Sequence, residues 1–265
     1  MKSLERLNLR RILHVLTALS TAGILLCVFI LFSDSLAYAQ GAAVYKKAGI
    51  FRESPASFAE SADSLKNTDV KAPAQKNENE RRAVDFAALF KINKDVVGWL
   101  AAEGTVLDYP VVQGKDNSFY LDHLFTGQRN KLGSIFMDYR NRSDFSDKNT
   151  IIYGHNMKDG SMFSSLTKYE TQQYYDSFPT MLLYTPGGSF TVEWFAGIVV
   201  DGKSESVPFS FKDKHDFQGY IDSLKKKSTF KTDTLVEADD RLITLCTCSH
   251  DFANARYALY GKLSK

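Results

Sequence analysis

Cysteine is scarce in this chain: three residues in 265, at positions 27, 246 and 248. Three thiols cannot make a disulfide framework. Cys246 and Cys248 are poorly spaced to bridge each other, because same-face neighbours in a strand sit about 6.5 Å apart along it and a disulfide holds its Cβ atoms near 4 Å. At least one thiol therefore stays unbridged. An excess of charge of either sign is also missing: 33 Lys and Arg against 31 Asp and Glu leave a formal net charge of +2. No long basic run alternates with aromatics, so nothing points to nucleic acid. Internal repeats are absent. What is plentiful is apolar residues, 44% hydrophobic with 13% aromatic, enough for a packed core and incompatible with a disordered chain.

Two local absences organise the N-terminal third. Ile12 to Phe32 is a run of 21 residues without Asp, Glu, Lys or Arg. It is long enough to span a bilayer, and Lys2, Arg6, Arg10 and Arg11 before it keep residues 1–11 in the cytoplasm and the remainder outside. Ala37-Tyr38-Ala39 has the form of a signal-peptide cleavage site, but the run exceeds an ordinary signal core, which favours a retained anchor over 12–32. Residues 33–82 lose pattern. Lys71 to Arg82 has no aromatic residue and only alanine as apolar content, so the segment reads as an extracellular linker or stalk. Short helical pieces, for instance Phe58 to Leu65, would need a partner surface.

A globular domain is expected over 83–265. Phe86, Leu89 and Phe90 recur at helical spacing, predicting a short helix that ends near Asn93. Strands are predicted at Val96–Leu100, at Val106–Val112 with a break or edge at Pro110, at Ser134–Asp138 and at Thr150–Tyr153. Met162 to Tyr175 reads as partly helical. Met181–Thr185 and Phe190–Val200 predict a hairpin with a four- or five-residue connection. Phe217, Tyr220, Ile221 and Leu224 form the apolar stripe of an amphipathic helix. Leu242–Cys248 and Arg256–Leu263 close the chain as two strands. Many short strands and few helices predict a mostly β domain, a closed barrel that leaves no exposed edge.

Cys248 ends its strand at the brink of a polar turn, where a thiol is held rigidly and stays within reach of substrate. A nucleophilic cysteine needs a base or cation and a group to hold the developing oxyanion. Among five histidines, His155 ends a predicted strand just after Gly154, whose freedom lets the imidazole turn into a cleft. His250 is the rival, though it shares the turn of Cys248. Arg256 opens the next strand, where a hairpin brings its planar fork of donors beside the thiol. A row of Cys246, Cys248 and His250 as metal ligands is disfavoured, because alternate strand positions spread ligands too far apart to converge.

Taken together, Thr244-Leu245-Cys246-Thr247-Cys248, the arginine eight residues on, Tyr153-Gly154-His155-Asn156-Met157 and the anchor resemble the sortases. Asp95–Leu100, Tyr109–Gln113, Gly133–Phe136, Asp159–Phe163 and Gly261–Leu263 resemble the class B branch, so the likeness spans about Phe86 to Leu263. It departs at Cys246, a position that is usually small and polar. The resemblance implies an eight-stranded β-barrel with N-terminal helices and an inserted amphipathic helix, which Phe217–Leu224 fits. It implies a membrane-anchored cysteine transpeptidase with Cys248 as nucleophile, His155 as acid and base, and Arg256 on the carbonyl or oxyanion. Thr247, Asn156 and Ser249 become substrate contacts. The implied partners are surface proteins bearing a C-terminal sorting motif and an amine of the lipid II type cell-wall precursor or of a pilin. No metal or cofactor is expected, and no acidic loop justifies calcium. The alternatives are a cysteine peptidase that hydrolyses the same acyl-enzyme and a non-catalytic thiol- or metal-binding domain.

Overall fold

The computed structural model describes residues 2–52, 84–202, 207–248 and 254–265, without the side chains of residues 2–13 and of Cys248. Helix α1 runs Lys2–Ala48. It is long and apolar enough to cross a membrane by length and composition, and its residues from His14 to Ser33 are exposed. The chain divides into two compact units, Met1–Ala43 and Val44–Lys265. The second unit therefore takes in the last turns of α1 as well as the domain expected from residue 83. The segment Phe58–Leu65, expected to hold helical pieces, lies outside the described residues.

Within the second unit eight strands close into a barrel. They are β1 Val96–Ala101, β2 Asp108–Val112, β3 Ile135–Met137, β4 Asn149–Tyr153, β5 Thr180–Thr185, β6 Gly188–Asp201, β7 Leu242–Cys248 and β8 Ala255–Ser264. Their order around the barrel is β1-β2-β3-β4-β7-β8-β6-β5, and β5 returns to β1. Most neighbours are antiparallel, but β2 with β3 and β4 with β7 are parallel. Closure uses up every edge. Three short helices complete the unit: α2 Phe86–Ile92, capped by Asp85 through Ala88 N, α3 Gln172–Ser177 and α4 Lys214–Lys227.

One local prediction is narrowed and one is corrected. Of the break or edge expected at Pro110, the structure shows the edge: the strand runs on and Pro110 pairs with Trp99 of β1. On its other side β3 starts pairing only at Val111, so the missing N–H falls where the strand has one neighbour. The hairpin between β5 and β6 is tighter than expected, with Thr185 opposite Gly188 and only Pro186 and Gly187 between them. Gly188 adopts φ +133°, a conformation that lets pairing begin at once and that a residue with a Cβ rarely takes.

Helix α4 shows how the period of its sequence becomes packing. Asp213 accepts a hydrogen bond from Asp216 N at 2.8 Å and caps the helix start. Phe217, Ile221 and Leu224 are buried on Ile198 and Val200 of β6 and Ala258 and Tyr260 of β8. Each such side chain contributes about 1.5–3 kcal/mol of burial. The helix thus covers the outer face of β6 and of β8, the strand that pairs with β7.

The end of α1 packs on the barrel in the same way. Tyr45 and Ala48 are buried, and the Tyr45 ring meets Tyr109 edge-on at 5.3 Å and Phe125 at 5.7 Å. Its hydroxyl donates to Gly133 O at 2.7 Å, with Ser134 Oγ 3.1 Å away. Arg52 then pairs with Asp108 at 2.9 Å, and the same carboxylate accepts the Trp99 indole N–H at 2.6 Å. Tyr45→Phe leaves the ring in place and orphans a buried carbonyl. It is expected to lower the unfolding free energy of the full chain by about 1–2 kcal/mol in denaturant titrations, with the slope unchanged.

Candidate active site

Parallel pairing of β4 with β7 sends both strands in the same direction, so their C-terminal ends emerge side by side. Tyr153 stands opposite Cys246, and the ladder continues as Gly154 N donates to Cys246 O at 3.2 Å. Counting two residues on from that pair reaches His155 on one strand and Cys248 on the other. The hydroxyl of Thr247, itself buried, donates to Gly154 O at 2.8 Å and ties the two strand ends together. On the other side of β7, Cys248 is directly opposite Arg256 of β8. The strand order therefore brings His155, just past the end of β4 and about ninety residues earlier in sequence, to the side of Cys248 on β7 and Arg256 on β8.

A cleft of about 460 Å³ opens here, walled by Asn117, Leu121, Phe136, Tyr153, Gly154, His155, Cys246, Thr247 and Arg256. That size suits a short peptide segment. His155 is half-buried, and its Nε2 lies 2.7 Å from Leu121 O, which fixes the ring against the loop that follows β2. The neutral ring with its proton on Nε2 donates to that carbonyl and leaves Nδ1 as the acceptor. Arg256 is exposed on its strand, with its side chain against Gly202: a Cβ added to that glycine would fall 2.5 Å from Arg256 Nε.

Glycine lets the walls approach each other. A Cβ on Gly154 would fall 2.5 Å from Ile135 and 2.7 Å from Phe163, so no other residue fits ahead of His155. Gly133 has φ +62°, and a Cβ there would fall 2.6 Å from Leu121 O and 3.0 Å from the His155 ring. It forms the floor beneath the imidazole and its carbonyl partner.

Of the residues singled out from sequence, His155, Thr247 and Arg256 share the cleft wall, and Cys248 joins them by its ladder position. Asn156 is outside that wall, bridged to Met162 across the next turn. Ser249 and the rival His250 lie outside the described residues. Sequence reasoning missed Asn117, Leu121, Phe136 and Tyr153. Phe136 and Tyr153 sit in predicted strands, where their pairing across β3 and β4 is not visible from spacing, and their rings lie 5.4 Å apart. Asn117 and Leu121 belong to a turn with no periodicity, and the one available signal was the cluster of apolar residues in so polar a loop.

Comparison with known proteins decides the family. A model of the sortase domain matches residues 100–264. The chain belongs to the sortase family. Sortase B of Listeria monocytogenes is 39% identical over 203 residues, 76% of this chain and 82% of that protein. A sortase B–substrate complex from Staphylococcus aureus superposes with a TM-score of 0.65 at 36% identity, covering 68% of this chain and 85% of that one. Sortase B of Bacillus anthracis superposes with a TM-score of 0.70 at 32% identity, covering 86% and 97%. This sortase is accordingly of class B, a cysteine transpeptidase of surface-protein anchoring with the expected eight-stranded barrel. Gly133→Ala in this sortase is expected to push Leu121 and the imidazole outward. Peptide turnover should fall at least tenfold while the circular dichroism spectrum of the barrel is retained, since the strain of a non-glycine residue there costs about 1–3 kcal/mol.

Proposed function

We propose that this sortase attaches surface proteins through a thioacyl intermediate on Cys248, with His155 as acid and base and Arg256 on the oxyanion. The observation that carries this reading is the ladder pair Cys248–Arg256 beside a cleft whose wall also holds His155. His155 takes the thiol proton of Cys248 on Nδ1, and the thiolate so formed attacks the carbonyl after the threonine of a C-terminal sorting motif. As the C–N bond breaks, His155 gives a proton to the departing amine and the acyl group remains as a thioester. An incoming amine then attacks the thioester, His155 takes the proton that amine loses, and the Cys248 thiolate leaves. Arg256 offers two parallel N–H donors to the oxygen that gains charge in each addition.

Thr247 meets the substrate as wall surface, because its hydroxyl is committed to Gly154. Asn156 and Ser249, which follow His155 and Cys248 in sequence, contact the peptide in this reading. Ile12–Phe32 anchors the chain in the cell membrane with the N-terminus in the cytoplasm and the barrel outside. The acceptor is an amine of the lipid II type cell-wall precursor, presented at that surface. The apolar, exposed stretch of α1 and the basic residues at the start of that helix support this topology.

The full chain in detergent, given a peptide from the sorting region of a surface protein of the same genome with and without an amine acceptor, tests the reaction. An amide product is expected only with the amine, and rapid hydrolysis with no amide from any amine would overturn transfer in favour of a peptidase. Cys248→Ala and His155→Ala should each abolish turnover. Arg256→Lys should retain only about 1%, because a point charge replaces a planar fork; activity like the wild type would show that charge alone suffices.

A further inference from the structure

One carboxylate behind the cleft holds two of its walls. Asp138 follows β3, and its side chain is fully buried. Its Oδ2 accepts from the Tyr153 hydroxyl at 3.0 Å, from Asn117 Nδ2 at 3.0 Å and from Arg140 Nη2 at 2.8 Å. Its Oδ1 accepts from Arg140 Nε at 2.9 Å and from Arg140 N at 3.0 Å. Asn117 is held at its other end as well, where Oδ1 accepts from Tyr139 N at 3.0 Å. Arg140 completes the group with its guanidinium 4.9 Å over the Phe209 ring.

Such a network is an inefficient way to gain stability, since desolvating the ions offsets most of their attraction. What it accomplishes is geometric. Tyr153 ends β4 two residues before His155, and Asn117 comes from the loop after β2. Asp138 accepts from both at once. It fixes their separation and engages one amide N–H of Asn117 and the hydroxyl of Tyr153. Burial, followed by the Asp138 charge, pushes the Tyr153 hydroxyl above the ordinary tyrosine range, so it remains a donor to that carboxylate. For Asp138, burial would raise the pKa, but the hydrogen bonds from Arg140, Asn117 and Tyr153 outweigh it and hold the carboxyl below its usual range.

We propose that Asp138 is a positioning residue for substrate recognition, setting the Asn117 and Tyr153 walls of the peptide cleft without touching the reacting atoms. The inference rests on the cleft being the sorting-peptide site. Asparagine at 138 keeps the shape but turns one acceptor into a donor facing Tyr153, Asn117 or Arg140, and so releases at least one wall.

The test uses the full chain in detergent and a labelled peptide from the sorting region of a surface protein of the same genome. For Asp138→Asn, KM is expected to rise at least tenfold with kcat within threefold, and the rate of Cys248 alkylation by iodoacetamide to stay within twofold. Peptide Kd, measured by anisotropy on a Cys248→Ala background that cannot turn over, should rise in parallel. Adding Tyr153→Phe to Asp138→Asn should weaken binding less than twofold further, because both changes break the same bond. If Asp138→Asn fails to fold, Tyr153→Phe alone carries the test, with Kd expected to rise at least threefold. An unchanged Kd in a folded variant, a fall in kcat with KM constant, or full additivity with Tyr153→Phe overturns the role of Asp138. A wild-type chain that binds no sorting peptide at all would instead overturn the peptide-site reading.

Discussion

Everything at the site depends on β4 and β7 running parallel. An antiparallel pair would send Gly154-His155 and Thr247-Cys248 to opposite ends of the barrel, whatever the residues were. Parallel neighbours need a long crossover, and here the chain from residue 154 to 241 supplies it by passing through β5, β6 and α4 before β7 begins. That crossover has a second consequence. The β6–β7 connection carries α4, whose apolar stripe covers the outer face of β6 and β8. The strand bearing Arg256 is therefore held by a helix on one face as well as by ladders on both edges, which keeps the position opposite Cys248 rigid.

The histidine is held from the other side, by loops rather than strands. Leu121 O fixes its ring nitrogen, Gly133 lies beneath it, and Tyr45 at the end of α1 donates to the carbonyl of that same glycine. Ser134 continues the chain of contacts, with its N–H on Tyr120 O and its hydroxyl on His123 O. Loops tolerate displacement more readily than ladders. Precision at His155 thus comes from many short bonds converging on a few backbone carbonyls, and glycine at 133 and 154 is what lets those backbones come close enough.

How much of this was legible in the sequence varied with the range of the interaction. Helix α4 was legible because its period of 3.6 is local, and β7 and β8 because alternation and a short turn are local too. The nearness of His155 and Cys248 was not, since the parallel register joins segments about ninety residues apart. Only the resemblance of two short motifs to a family linked them. The tight turn at Pro186-Gly187 differs from the expected connection, and the choice between break and edge at Pro110 stayed open, because each depends on what lies opposite: Gly188 begins pairing immediately, and Pro110 has a neighbour on one side. The Asp138 cluster was invisible for the same reason. Asn117, Asp138 and Tyr153 come from a loop, a strand end and another strand, and no pattern in one sequence announces that they share a carboxylate.

Cys246, the departure noted in the sequence, now has a definite setting. It is buried in the cleft wall opposite Tyr153 on β4 and Ala258 on β8. Regular pairing through Cys246 and Cys248 keeps β7 extended, with about 6.5 Å between alternate residues along the strand, so a bridge between these thiols would require the strand to leave its ladder. A thiol in this place is small, soft and a weak hydrogen-bonder. A hydroxyl there would put a stronger polar group in the wall that Cys246 shares with Tyr153 and Phe136. Asp138 engages Asn117 and Tyr153 in the same wall, so the thiol and the carboxylate both reduce the polar groups that this wall leaves unengaged.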